Sequence, residues 1–320
     1  MPDRPGIVVV LASFILDMVV RAPRRPLPGE SLLGTDFGMF VGGKGCNQAI
    51  AAARSGAQVR AIGRLGDDVF GAPFGEALAR EGIDTTWVTR DAEAGTGIAF
   101  PVIEPNGQNS IIVLPRANAR LTPADIEAAV AAGAFNEGAV LLAQFEVAVE
   151  TVDATVELAH ARGLRVILNP APAPEPPAPL PSSLMRHVDL LIPNEHEAAA
   201  LSGIPVASIE DAERAGRALL AQGCRSVVVT LGERGALWLA DRDAAAVVCP
   251  PLAVMQVDAT AAGDAFCGAL AAGLAAGSET PTALRRACTA GALATTRLGA
   301  EPSLPTAAEI DALLAAQPRQ

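Results

Sequence analysis

The stretch Gln256-Val-Asp-Ala-Thr-Ala-Ala-Gly-Asp-Ala-Phe-Cys-Gly-Ala-Leu270 sets a carboxylate beside a turn of small side chains. An apolar strand is expected to end near Val257, and a helix to begin near Ala262. Ala261, Ala262 and Gly263 leave backbone N–H groups accessible at the positive end of that helix, which is an anion site in the making. Asp264, in the first turn, could take a proton from a hydroxyl while those N–H groups hold an anionic group in transfer. Taken alone, Asp264 reads more simply as a charge that suits a helix start.

A second glycine-rich junction, Gly42-Gly-Lys-Gly-Cys-Asn-Gln48, joins a strand to a helix. Its glycines let a ligand approach the backbone, and Lys44 and Asn47 offer a cation and an amide. The GxxxxGK[ST] spacing of a Walker loop is absent, as is a GxGxxG dinucleotide fingerprint. Asn194-Glu-His-Glu197 follows a strand and Pro193. Asn194 and Glu197, three apart, share a helix face and could organise the waters of Mg²⁺, or could simply cap the helix. Thr230-Leu-Gly-Glu-Arg-Gly235 closes a strand with a double-glycine turn, which fits a nucleotide at a sheet edge or a plain hairpin. Asp17 and Glu146, each just beyond a strand, could hydrogen-bond a polyol. His160, His187 and His196 show no zinc spacing.

These residues need a scaffold that brings strand ends together. Ile7 to Leu11 reads as a buried parallel strand. A helix is expected over Cys46 to Ser55, a strand over Val59 to Ile62, and a helix over Val69 to Glu81. From Thr122 onward helices (Pro123 to Ala132, Val147 to Arg162, Asn194 to Leu201, Ile209 to Gln222) alternate with strands (Ala139 to Leu142, Arg165 to Leu168, Leu190 to Ile192, Ser226 to Thr230). Pro170 to Pro181 is an extended loop. The expected fold is α/β, with a doubly wound, mostly parallel sheet covered by helices on both faces. Two segments lack intervening helices, about 17–41 and 97–118, the second with an Asn106-Gly107 hairpin signal. They are assigned to a small β-sheet lid on one domain spanning 1–320.

Composition removes several functions. The chain has 320 residues, half of them apolar and 18% charged, enough for a large core. A net charge of −11 and the absence of Tyr argue against nucleic-acid and anionic-membrane partners. Five scattered cysteines without CxxC spacing read as apolar fillers in a reducing compartment. No signal-peptide pattern or spanning stretch is seen, so a soluble cytoplasmic protein is expected.

Jointly, these motifs resemble the ribokinase branch of the PfkB sugar-kinase family. Gly42-Gly43-Lys44-Gly45-x-Asn47-Gln48-Ala49 and Asp258-x-Thr260-Ala261-Ala262-Gly263-Asp264 carry most of the resemblance. Leu168-Asn-Pro-Ala-Pro-Ala173, Pro193-Asn-Glu-x-Glu197, Thr230-Leu-Gly-x-Arg-Gly235 and Gly299-Ala-Glu-Pro-Ser303 support it. The resemblance implies an ATP-dependent kinase that phosphorylates the primary hydroxyl of a pentose. Asp264 is then the general base, and the N–H groups of Ala261, Ala262, Gly263 and Asp264 are the anion hole. Asp17, Gly43, Lys44, Asn47, Glu146 and Asp264 fall on sugar-contact positions. Asn194, Thr230, Gly232, Gly235 and Gly263 fall on the ATP side, and Asn194 and Glu197 order Mg²⁺ through water. Asp258, Thr260, Ala294, Arg297, Gly299 and Ser303 match a site for a monovalent cation such as K⁺. The lid implies a homodimer. One departure bears on the sugar: Ile15 stands where ribokinases have a sugar-contacting Asn, and Arg116 replaces a glycine, adding a cation. A pocket built for a hydroxyl discriminates against its loss, so another sugar or a nucleoside stays open, as does a sugar-binding protein without catalysis.

Overall fold

The computed structural model describes residues 5–105, 108–173, 175–250 and 252–316. The strands, in chain order, begin with β1 (Ile7–Ala12), β2 (Ile15–Arg21), β3 (Asp36–Gly42) and β4 (Gln58–Gly66). Next come β5 (Asp84–Asp91), β6 (Gly97–Ile103), β7 (Asn109–Leu114), β8 (Val140–Ala143) and β9 (Arg165–Leu168). The last are β10 (Leu190–Leu191), β11 (Val227–Thr230), β12 (Ala236–Leu239) and β13 (Val247–Cys249).

Nine of these form one sheet in the order β13-β12-β11-β10-β9-β8-β1-β4-β5. All neighbours from β11 to β5 run parallel, while β12 and β13 are antiparallel additions at one edge. The alternation of side chains along β1 divides the core in two. Val8, Val10 and Ala12 face the helices Lys44–Arg54, Ala262–Ala275 and Thr280–Ala294. Val9 and Leu11 face Pro123–Ala131, Val149–Ala161 and Ile209–Ala221. Both faces are buried, which is why these strands read as unbroken apolar runs. From β1 the chain winds one way to β4 and β5, then returns to start β8 on the other flank. The crevice beyond the carboxyl ends of β1 and β8 is therefore the topological switch point, where such sheets bind ligands.

The remaining strands form a second sheet in the order β3-β2-β6-β7. The chain passes between the sheets at Ser13-Phe14. There Asn118 clamps the Phe14 backbone, accepting from its N–H and donating to its carbonyl, both at 2.8 Å.

Three expectations need correcting. No strand runs into Val257: residues 252–256 are unpaired, and the N–H groups of Val257 and Asp258 bond to the Thr295 carbonyl at the end of a helix. Those apolar side chains cover a cavity instead of joining the sheet. The helix expected from Val69 begins at Ala72, because Asp68 takes the Gly71 N–H and holds a preceding turn. The second-sheet strands extend to Ile15 and Gly42, beyond the expected 17–41 segment. The Asn106-Gly107 turn lies outside the described residues.

Candidate active site

At the switch point the end of β1 turns into a polar knot. The Ser13 hydroxyl donates to Glu146 Oε2 at 2.7 Å and accepts the Gly45 N–H at 2.9 Å. Lys44 N–H donates to the same Glu146 oxygen at 2.7 Å. Glu146, just past β8, thus sits on the positive end of the helix Lys44–Arg54, a favourable place for a carboxylate. Gly43 precedes that helix with φ of 90°, a conformation that a side chain would strain.

Asp264 is 7% exposed, in the first turn of the helix Ala262–Ala275. Its Oδ2 accepts from Asn47 Nδ2 at 3.1 Å, and its Oδ1 from Gln48 Nε2 at 3.0 Å. Gln48 also donates to Asn169 Oδ1 at 3.0 Å, and Asn169 donates to the Ile192 carbonyl at 2.8 Å. A chain of amides thereby fixes the orientation of the carboxylate. The two helices that meet here approach so closely at Gly268 that a Cβ would fall 2.5 Å from that of Ala51.

Burial dominates the electrostatics. The Asp17 carboxyl is pushed up to about 7 by desolvation first, then by Glu146 and Asp264. Burial also raises Glu146 and Asp264, although Lys44 opposes the shift in both. Around Lys44 burial works against the ammonium, but Asp264, Glu146 and Glu197 more than offset it and hold the lysine charged. Asn47, 5% exposed, keeps its Oδ1 buried without a hydrogen-bond partner among the described residues.

The second half of the site is built differently. Asn194 and Glu197 cap the helix Glu195–Ser202 reciprocally: Glu197 N–H donates to Asn194 Oδ1 at 2.9 Å, and Asn194 N–H to Glu197 Oε2 at 2.8 Å. A β-bridge links Asn194 to Thr230 at the end of β11. Beside them opens a cavity of about 820 Å³, lined by Asn194, Thr230, Gly232, Ala262, Gly263 and Thr295 among others. Ala261 holds φ of 59°, a left-handed conformation unusual outside glycine, and no side chain caps the helix that follows. Gly263 is exposed, with nothing within 4 Å of where a Cβ would stand.

Further along, Asp258 Oδ1 accepts the Thr260 N–H and hydroxyl at 2.9 and 2.6 Å, and its Oδ2 accepts the Gly299 N–H at 3.0 Å. These bonds outweigh burial and hold the carboxyl below its usual range. Arg297 pairs with Glu309, and Ser303 donates to the Ala300 carbonyl. Arg116 is not in the polar knot. Its guanidinium donates to the Thr96 carbonyl at 3.0 Å and lies 3.7 Å from Asp68, covering Gly95. The expected added cation is spent on a loop contact.

The model of the pfkB carbohydrate kinase family matches residues 7–307. The chain belongs to that family. Its similarity to curated members covers most of its length. The ribokinase of Bacillus subtilis is 37% identical over 307 residues, covering 96% of this chain and 99% of its own. The deoxyribokinase of Salmonella typhi is 34% identical over 299 residues, at 93% and 95% coverage. The solved structure of Arabidopsis thaliana ribokinase with ribose and ATP aligns with a TM-score of 0.87 and 29% identity, over 98% of this chain and 99% of that one.

Within this carbohydrate kinase the structure gathers Asp17, Gly43, Lys44, Asn47, Glu146 and Asp264 at the switch point. It sets Asn194, Glu197, Thr230, Gly232, Gly235 and Gly263 around or beside the open cavity. Asp258 accepts from both Thr260 and Gly299. Four residues that sequence reasoning left without a role support the site: Ser13, Gln48 and Asn169 bond to its carboxylates or their amide partners, and Asn118 fixes the Phe14 backbone beside it. Gln48 and Asn169 lie inside the quoted motifs, which is the one signal that pointed to them.

Proposed function

We propose that this carbohydrate kinase transfers the γ-phosphoryl group of ATP to the primary hydroxyl of a pentose. The observation that carries the reading is Asp264: a buried carboxylate, oriented by Asn47 and Gln48, in the first turn of a helix whose Gly263 faces open space. The sugar hydroxyl oxygen attacks the γ-phosphorus and its proton passes to Asp264. The bond from phosphorus to the β–γ bridging oxygen breaks, and ADP leaves. A base whose pKa is raised by burial suits that proton transfer. The N–H groups of Ala261, Ala262, Gly263 and Asp264 would meet charge developing on the phosphoryl oxygens, where positioned donors act most strongly. Asp17, Gly43, Lys44, Asn47 and Glu146 would hold the sugar. Asn194, Thr230, Gly232 and Gly235 would line the nucleotide.

Mg²⁺, arriving with ATP, would supply charge neutralisation across the phosphates. Glu197 suits it: its two oxygens accept from Asn194 at 2.8 and 3.0 Å, which leaves lone pairs for metal-bound water. A K⁺ ion would suit the oxygen donors of Asp258, Thr260, Ala294, Arg297, Gly299 and Ser303, mostly backbone carbonyls, and would brace the anion-hole turn. The second sheet would serve as the lid of a single domain, since Asp17 reaches the switch point from it. Its other face is apolar and open, with Phe37 59% and Ile112 68% exposed, which supports a homodimer between two such faces. Light scattering at twice the monomer mass is the expected result. No helix among the described residues is long and apolar enough to cross a membrane. A cytoplasmic site of action is our reading, in keeping with five free cysteines.

Ile15 favours a second reading of the substrate, a pentose lacking one hydroxyl. It is 3% exposed and shares a face of β2 with Asp17, so it sets an apolar wall beside the carboxylate. The test is ADP formation with Mg²⁺ and K⁺ over ribose, 2-deoxyribose, ketohexoses and nucleosides, repeated with Ile15→Asn. Turnover of a pentose is expected, with 2-deoxyribose preferred and the preference shifted about tenfold towards ribose by the substitution. Absence of turnover with every acceptor would sink the kinase reading, and a sugar that raises the melting temperature without forming ADP would replace it with a binding protein.

A further inference from the structure

A second cavity, of about 520 Å³, opens at the amino ends of the parallel strands, the opposite edge of the large sheet from the switch point. Three neighbouring strands bring residues to it. Arg165 opens β9, Asp189 immediately precedes β10, and Arg225 and Ser226 immediately precede β11. Trp238 comes from the far end of the antiparallel β12, and Thr280 begins the helix Thr280–Ala294. Backbone bonds hold these strand starts together: Asp189 N–H donates to the Val166 carbonyl, Leu191 N–H to the Ser226 carbonyl and Arg225 N–H to the Val188 carbonyl, each at 3.0 Å. The sheet itself, and not a loose loop, sets where the side chains start.

The charge of this cavity is opposite to that of the molecule. The chain carries −11 overall, yet here Arg165 and Arg225 share the lining with a single carboxylate, Asp189. That carboxylate is already in use. Its Oδ2 accepts the Val166 N–H at 2.9 Å, and its Oδ1 stands 3.9 Å from Arg225, beyond hydrogen-bond distance. Among the described residues the half-buried Arg165 guanidinium has no hydrogen-bond or ion-pair partner. Burial weakens its hold on its proton, Asp189 opposes that, and the Arg225 charge adds to it. Sheltered donors without acceptors, next to a like charge, are costly, and a bound anion would relieve both costs. The planar fork of an arginine matches two oxygens of a phosphate. Arg225, with 82% of its side chain exposed, is free to turn onto the same ligand. No side chain caps the helix that starts at Thr280, so its N-terminus adds positive potential.

We propose that this cavity is a binding site for a phosphate dianion, free or carried as the monoester of a small sugar, with Arg165 as the inner anchor and Arg225 as the outer one. Its volume lies within the range of small-molecule sites and exceeds the needs of phosphate alone, which leaves room for the organic part of an ester. The site is separate from the centre of phosphoryl transfer, since it shares no lining residue with the cavity at Asn194 and Gly263. It stands independently of the function proposed above.

Trp87 and Trp238 are the two tryptophans of the chain, so Trp87→Phe leaves a reporter in the cavity lining. The experiment titrates that full-length protein with inorganic phosphate and with ribose 5-phosphate, following Trp238 fluorescence against chloride at equal ionic strength. A saturable change with a Kd at or below about 1 mM is expected. Equal affinity for the two probes identifies phosphate itself as the ligand, and a Kd at least about tenfold lower for the ester identifies a sugar phosphate. In the same background Arg165→Gln should raise the Kd at least about tenfold and Arg225→Gln about fivefold. Should Arg165→Gln melt early, Arg225→Gln decides, because its exposed side chain makes no hydrogen bond that folding needs. The site is overturned by the same change in chloride, by no saturable change up to about 10 mM of either probe, or by a signal whose Kd is unmoved in the arginine variants, which would place the anion elsewhere.

Discussion

Around Lys44, a Cβ added to Gly42 would stand 2.5 Å from Asp17 Oδ2, at Gly43 2.7 Å from the Ser13 carbonyl, and at Gly45 2.6 Å from Gln144 Nε2. Around the open cavity, a Cβ on Gly232 or Gly263 would meet nothing within 4 Å. Both sets of glycines look alike in the sequence, as small residues in turns that follow an expected strand, but the space they leave is used differently. In the first region the protein fills it, with a carboxylate, a carbonyl and an amide packed against the backbone. In the second it is left for something else. The charges divide the same way: Asp17, Glu146, Asp264 and Lys44 crowd the first region, and the second offers backbone groups and a capping pair. One half of the site is packed by the protein's own groups, and the other leaves its space open.

The hardest test of this division falls on Asp264, which is held by Asn47 and Gln48 of the crowded half and directly follows Gly263 of the open one. Asp264→Asn keeps the shape and leaves Asn47 and Gln48 an acceptor on one side. Because burial disfavours the native charge, thermal stability at neutral pH should be unchanged or higher. Turnover should fall by at least ~10²-fold, the scale of a lost general base, while ADP affinity stays near that of the native protein. Steady-state kinetics with calorimetry and a melting curve separate these outcomes. A variant with near-native turnover would remove the base from the mechanism.

A pair of glycine substitutions breaks the comparison more directly. Gly45→Ala drives a methyl into the Ser13 backbone and the Gln144 amide, and should cost about 3 kcal/mol or more in denaturant unfolding. Gly263→Ala adds a methyl to a helix turn in open space, so stability should hold within about 0.5 kcal/mol or improve slightly. Activity should move the opposite way. The Gly263 variant should lose about tenfold in kcat, because the methyl crowds the N–H groups offered to the phosphoryl oxygens. Equal stability losses in both would show that the two regions are packed alike.

The same comparison explains what was legible in the sequence. The parallel strands β8 to β11 and their helices were readable because each is buried on both faces or alternates with a 3.6-residue period. β5 was not, since as an edge strand it exposes most of its side chains and carries a bulge against β4. The apolar run before Val257 misled because cavity lining and strand interior have the same composition. In the site, Asp17, Gly43, Lys44, Asn47, Glu146 and Asp264 lie together at the switch point. Their supports are harder to see: Gln48 meets Asp264 from 216 positions away, and Asn118 meets Phe14 from 104. Amides and hydroxyls that act by holding a distant group leave no local pattern, and Arg116 shows the converse, a charge whose partner, not its position, decides what it does.

The smallest effect, and the one specific to the crowded half, is its response to pH. Asp17 sits near neutrality because burial, Glu146 and Asp264 all disfavour its charge, raising it from 3.8 to about 7. A carboxyl raised on folding contributes stability that is fully present below its unfolded pKa and is lost as pH rises through the folded one. The ligand-free protein should therefore lose stability between about pH 4 and pH 7, and Asp17→Asn should flatten that decline. Sugar hydroxyls donating to Asp17 favour its ionised form, so binding releases a proton and affinity should rise with pH. Between about pH 6 and pH 8 the sugar Kd should fall about fivefold, and Asp17→Asn should bind more weakly with that dependence gone. Sugar affinity that falls over this range would place the proton elsewhere, and would mean that Asp17 donates to the sugar as a neutral acid instead of accepting from it.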